Sequence, residues 1–210
     1  MSKALAVFAA LILMAGCSSE PTKTTEQSKP AAPAAPPAPE LVTGRVAFQK
    51  LYVAAHGWAG DARPYRLQSQ IAKESNGRDG KSGVWRASFA SAMKRGVKPY
   101  IWSGIKADDA PELGVTPGAE DTYNPSNTNT QVFDIGFLKT DSDKAYEVAQ
   151  KHGGEKVLAK NADLPVFYIL DWQPSSNELI WHVIYGNDVD SAKLKISVDA
   201  SSGDFLRVEK

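Results

Sequence analysis

The sequence predicts an α+β fold, built as two similar units that each pack a helix on an antiparallel sheet. Three observations predict it. Apolar residues recur at helical spacing in two places, near residues 44–56 and 142–152. Short apolar or alternating runs bounded by turn residues follow each helix. The order of elements in residues 131–210 repeats that in residues 41–105.

In the first unit, Thr43 is placed to cap a helix that runs to about His56, with Gly57 as its stop. Phe48, Leu51, Tyr52 and Ala55 fall on one face of it. Residues 65–73 read as a strand with Tyr65, Leu67, Ser69 and Ile71 on one side. The polar run 75–81 supplies turn signals. Residues 84–93 read as the partner strand, with Trp85, Ala87 and Phe89 on one face, and 97–102 as a third.

Residues 106–130 form a long connection rich in Pro, Gly, Asp, Asn and Thr, a length that marks a functional or a flexible segment. The run 132–138 reads as a strand. The second unit then starts at Asp141 or Ser142, whose side chains suit a helix cap. Its helix runs through His152 to a stop at Gly153, with Ala145, Val148, Ala149 and His152 on one face. Strands are expected at 164–172, 178–186, 193–199 and 204–208. His56 and His152, and likewise Trp85 and Trp181, stand 96 residues apart. Side-chain identity between the halves is near chance, so the duplication rests on the order of elements.

Ahead of these units stand an export signal and a spacer. Residues 4–15 are an unbroken apolar run behind Lys3. That run falls short of the roughly 20 residues a membrane-spanning helix needs, and suits the core of a signal peptide covering residues 1–16. Leu13-Met14-Ala15-Gly16-Cys17 resembles the lipobox of bacterial lipoproteins, with Met14 where that family prefers leucine. The resemblance implies cleavage before Cys17 and a diacylglycerol on its thiol. With Ser18 rather than aspartate after the cysteine, it further implies an outer-membrane lipoprotein facing the periplasm in a Gram-negative source. Cys17 is the single cysteine, so no disulfide can form within the chain. Residues 18–40 carry no large apolar side chain, and together with Cys17 they read as a disordered, Pro/Ala-rich tether.

Charge excludes one class of partner. Lys and Arg total 24, as do Asp and Glu, and no basic run occurs that would gather phosphates, so no nucleic-acid partner is expected.

The second unit resembles the PepSY family. The resemblance rests on Val198-Asp199-Ala200-Ser201-Ser202-Gly203-Asp204-Phe205-Leu206 after the strand Ile180-Trp181-His182-Val183-Ile184-Tyr185. The spacing suits a hairpin in which Gly203 relieves the turn and Asp199 bonds its backbone. In the first unit Trp102-Ser103-Gly104 stands where the signature would be. The resemblance implies a non-catalytic envelope protein that binds or modulates another protein, a peptidase among the candidates.

No nucleophile elbow, phosphate loop or dinucleotide fingerprint occurs. His56, His152 and His182 lack metal-ligand spacing, and Asp188, Asp190 and Asp199 lack that of a calcium loop, so no metal and no cofactor is expected. Trp85, Trp102 and Trp181 are candidates for a partner-binding face, against the alternative that they are core. Two rivals to the binding reading remain at this level: an envelope hydrolase with a dispersed site, and a scaffold of an outer-membrane assembly.

Overall fold

A computed structural model describes residues 38–108 and 110–209. The signal peptide, Cys17 and the tether through residue 37 lie outside the described residues. The elements are β1 (Val42–Thr43), α1 (Gly44–Trp58), β2 (Arg63–Ser69), β3 (Lys81–Ser82), β4 (Val84–Ser91), β5 (Gly96–Ser103), β6 (Gly114–Pro117) and β7 (Asp121–Thr122). They continue with α2 (Ser142–Ala149), α3 (Glu155–Lys160), β8 (Val166–Gln173), β9 (Glu178–Tyr185), β10 (Leu194–Asp199) and β11 (Phe205–Glu209).

The fold is α+β, with helices on one face of a large antiparallel sheet. Its nine strands run β11-β10-β9-β8-β2-β4-β5-β6, with β7 also on β5. The halves of the sequence meet at the β2–β8 seam, through Arg66 opposite Asp171, Leu67 opposite Leu170 and Gln68 opposite Ile169. Strand order therefore mirrors itself about that seam. Helix α1 packs on β2, β4 and β5, and α2 on β9 and β10. Period-two alternation sends Leu67, Trp85, Ala87, Phe89, Tyr168, Leu170, Trp181 and Val183 into one apolar core beneath the helices.

At the centre of that core the two halves do the same thing. Trp85 and Trp181 meet edge to face, 6.4 Å between ring centroids. Trp85 Nε1 donates to the Val42 carbonyl at 3.0 Å, and Trp181 Nε1 donates to the Thr140 carbonyl at 2.9 Å. Each carbonyl belongs to the residue just before a helix N-cap, Thr43 in one case and Asp141 in the other. Both indole N–H groups are thereby satisfied where burial would otherwise penalise them.

Several expectations need correction. Thr43 sits at the N-cap of α1 but its side chain makes no capping bond. Asp141 Oδ1 instead accepts from Arg45 N at 2.9 Å while capping its own helix at Ser142 N, 2.7 Å. Ser142 Oγ accepts from Gly44 N at 2.8 Å and donates to the Gly80 carbonyl. Gly57 does not stop α1, which closes one residue later with Ala59 N on the Ala55 carbonyl. Ile71 does not share a face with Leu67, because β2 ends at Ser69 and Ile71 packs with Phe167, Ile169 and Ile184 on the sheet's other side.

The connection 106–130 is partly sheet: β6 and β7 extend the β5 edge. Residues 132–138 are not a strand. Asp134 Oδ1 accepts from Gly136 N at 2.7 Å and starts a 3₁₀ turn at Ile135–Phe137. Nor does Gly153 end the second helix. His152 and Gly153 (φ 123°) leave helical geometry inside a five-residue π-type segment, after which α3 resumes. His152 finds its partner in Phe205, stacked at 3.7 Å, rather than in a terminal carbonyl. His56 Nδ1 faces the Tyr52 carbonyl within the helix at 3.2 Å.

The signature hairpin forms as its chemistry requires. Asp199 Oδ1 accepts from Ser201 N and Ser202 N at 2.5 and 3.0 Å, and Gly203 takes φ 84°.

Candidate functional site

Three of the residues singled out in sequence turn inward. Trp85, Trp102 and Trp181 are buried in the helix-covered core and cannot form a face that a partner reaches. Alternation had made them large apolar residues on the inward side of their strands, and the helices cover that side.

The same alternation sends the intervening residues to the face that α1 and α2 leave open. Arg66 and Gln68 lie there on β2, Asp171 on β8, His182 on β9, Ser197 on β10 and Glu209 on β11. These side chains interlock. His182 Nδ1 donates to Glu209 Oε1 at 2.5 Å, and Nε2 to Asp171 Oδ1 at 3.2 Å. Ser197 Oγ also donates to Glu209 Oε1. Arg66 Nη1 stands 3.5 Å from Asp171 Oδ2, and its Nε donates to Gln68 Oε1 at 3.0 Å.

Burial disfavours the charged imidazole of His182, but hydrogen bonds to Asp171 and Glu209 and their charges outweigh it and raise its pKa to about 9. Burial pushes Glu209 upward, yet the bond from His182, its charge and the Ser197 hydroxyl bring it down to about 2. At neutral pH the cluster thus holds two cations, Arg66 and His182, against two carboxylates.

That arrangement limits its chemistry. A doubly donating imidazolium has no free lone pair with which to accept a proton. Ser197 is fully buried and spends its hydroxyl proton on Glu209, so the serine–histidine contact that activates a nucleophile is not made here. The two carboxylates sit on opposite ring nitrogens and do not converge on one point. Among the described residues no group of three or more His, Cys, Asp and Glu is placed to hold a metal ion. The cluster instead ties β2, β8, β9, β10 and β11 together across the open face.

Two grooves flank Arg66. One, of about 410 Å³, runs between Gln68, Gln70 and Phe167 and the loop bearing Asn187 and Asp188. The other, of about 330 Å³, lies among Tyr65, Asn129, Gln131, Trp172 and Gln173. A smaller hollow of about 150 Å³ separates α1 from the 135–138 segment.

Sequence reasoning placed His182 in a strand and missed its partners. The available signal was Asp171, a lone charge inside the apolar run of β8. Glu209 carried no such mark, because its meeting with His182 depends on how β10 and β11 pair.

No family model matches the chain, and no curated protein matches it. Among solved structures the chain is similar to a crystal structure of a Clostridium difficile 630 protein provisionally named a lipoprotein. Identity is 16% and the TM-score 0.47, over 76% of this chain and 91% of that one.

Proposed function

We propose that the protein is a membrane-anchored envelope lipoprotein that acts by binding rather than by catalysis. Its partner is another envelope protein, and the PepSY-like layout of the second unit suggests a peptidase. The observation that best supports a binding role is the saturated His182 cluster: the most polar assembly on the open face has its proton donors and acceptors committed to one another. The anchor rests on Cys17 and the lipobox-like residues before it. With Ser18 after that cysteine, the reading puts the protein on the periplasmic side of an outer membrane where the source has one.

Fractionation of cells carrying Cys17→Ser tests the anchor. The expected result is release of the protein into the soluble fraction, and a variant that stays with membranes overturns it. Cross-linking of the wild-type protein in envelopes, repeated and recovering no protein partner, overturns the binding role.

A further inference from the structure

We infer that the two grooves beside Arg66 form one binding site for a neutral carbohydrate chain, an inference that goes beyond the protein-binding reading above and stands apart from it. Arg66 lines both, so the two grooves adjoin at the β2–β8 seam and could hold successive units of one chain. The class of ligand follows from what lines them and from what does not.

Charge comes first. Arg66 and Asp171 neutralise one another, and Arg66 further commits its Nε to Gln68. Asp188 turns its carboxylate to Ser191, at 2.7 Å from N and 2.6 Å from Oγ. No other Lys, Arg, Asp or Glu lines either groove. An anionic ligand would therefore meet no uncompensated positive charge in the lining, and a cationic one only the exposed carboxylate of Asp188.

Hydrogen bonding comes second. The lining is rich in side-chain amides. Those of Gln70, Asn129 and Asn187 form no hydrogen bond with the described residues, and among these the Gln68 NH₂ has no partner. An amide both donates and accepts, as a sugar hydroxyl does. Trp172 and Tyr65 bring aromatic rings to one end and Phe167 to the other, supplying apolar contact for the C–H faces of sugar rings.

Backbone pairing disfavours an extended peptide. Strand addition needs an exposed sheet edge, whereas β2 is paired with β4 and β8, and β8 with β2 and β9.

The test titrates the purified Cys17→Ser chain with cellohexaose, maltohexaose and chitohexaose, and with an uncharged Ala/Gly hexapeptide. Amide side-chain and indole NMR signals are the readout. The expected result is that at least one hexasaccharide shifts the signals of Gln68, Gln70, Asn187 and Trp172, with an affinity that does not change between low and high salt. Gln70→Ala with Asn187→Ala should weaken that binding about tenfold, the equivalent of about 1.4 kcal/mol. Both sites are on the surface, and unchanged thermal unfolding of the double variant verifies the fold. Silence of the groove signals with all three sugars, shifts with the peptide instead, or unchanged affinity in the double variant each overturns the inference. Any of these leaves the lipid anchor standing, since that is read from Cys17→Ser alone.

Discussion

The two halves of the molecule agree on the helix-covered side and part company on the open side. Under the helices, Trp85 and Trp181 occupy matching places and bond matching carbonyls. One residue further along each strand, Arg86 and His182 also match, and the likeness ends. His182 holds two carboxylates, whereas the Arg86 side chain makes no hydrogen bond or ion pair with the described residues. A second difference lies at the helix starts: α2 is capped by its own Asp141, and α1 borrows the same carboxylate. Packing constrains the shared core from all sides at once, so equivalent residues keep equivalent jobs. The open face has no such constraint, and there the halves have taken different chemistry.

The largest expected effect probes the shared core. Trp181→Ala and Trp85→Ala should each destabilise by about 3–5 kcal/mol, because a large buried side chain and the partner of a half-buried carbonyl are lost together. Urea unfolding of both variants checks it, and a difference of more than about 2 kcal/mol between them would break the equivalence of the halves.

Next comes the open face. His182→Ala should cost about 3 kcal/mol, by leaving Asp171 and Glu209 facing each other without the cation between them, and Arg86→Ala less than about 0.5 kcal/mol. The pH dependence has a definite sign. The folded pKa of His182 is raised from 6.5 to about 9, so its stabilisation is complete below 6.5 and is lost as pH climbs through 9. That of Glu209 is lowered from 4.5 to about 2, so its share holds above 4.5 and is lost as pH falls through 2. Unfolding free energies measured from pH 6 to 10 should decline for the wild type and stay flatter for His182→Ala.

The smallest effect concerns the caps. Asp141→Ala removes a cap from both helices and should cost about 2 kcal/mol, while Thr43→Ala should fall within about 0.5 kcal/mol of wild type. Equal costs for the two substitutions would mean that α1 does not depend on the second half for its cap.

The α+β class, most of the strands and the order of elements were readable from residues 41–210, because alternation and helical spacing are local patterns that each segment carries alone. The hairpin at Asp199–Gly203 was readable for the same reason: the bonds that Asp199 makes across the turn fall within six residues. Where local patterns competed, reading failed. Residues 132–138 alternate like a strand, but Asp134 bonds its own backbone and turns the chain first.

By itself, then, the sequence determined the inward face of β4, with Trp85, Ala87 and Phe89, and it set out the lipobox-like stretch before Cys17. Only the tertiary structure decided that the two halves share one sheet, that Asp141 caps a helix 96 residues away, and that His182 lies between Asp171 and Glu209. The reason is range. Periodicity is a property of neighbours along the chain. A cap or an ion pair between distant residues exists only once strand register has brought their backbones together.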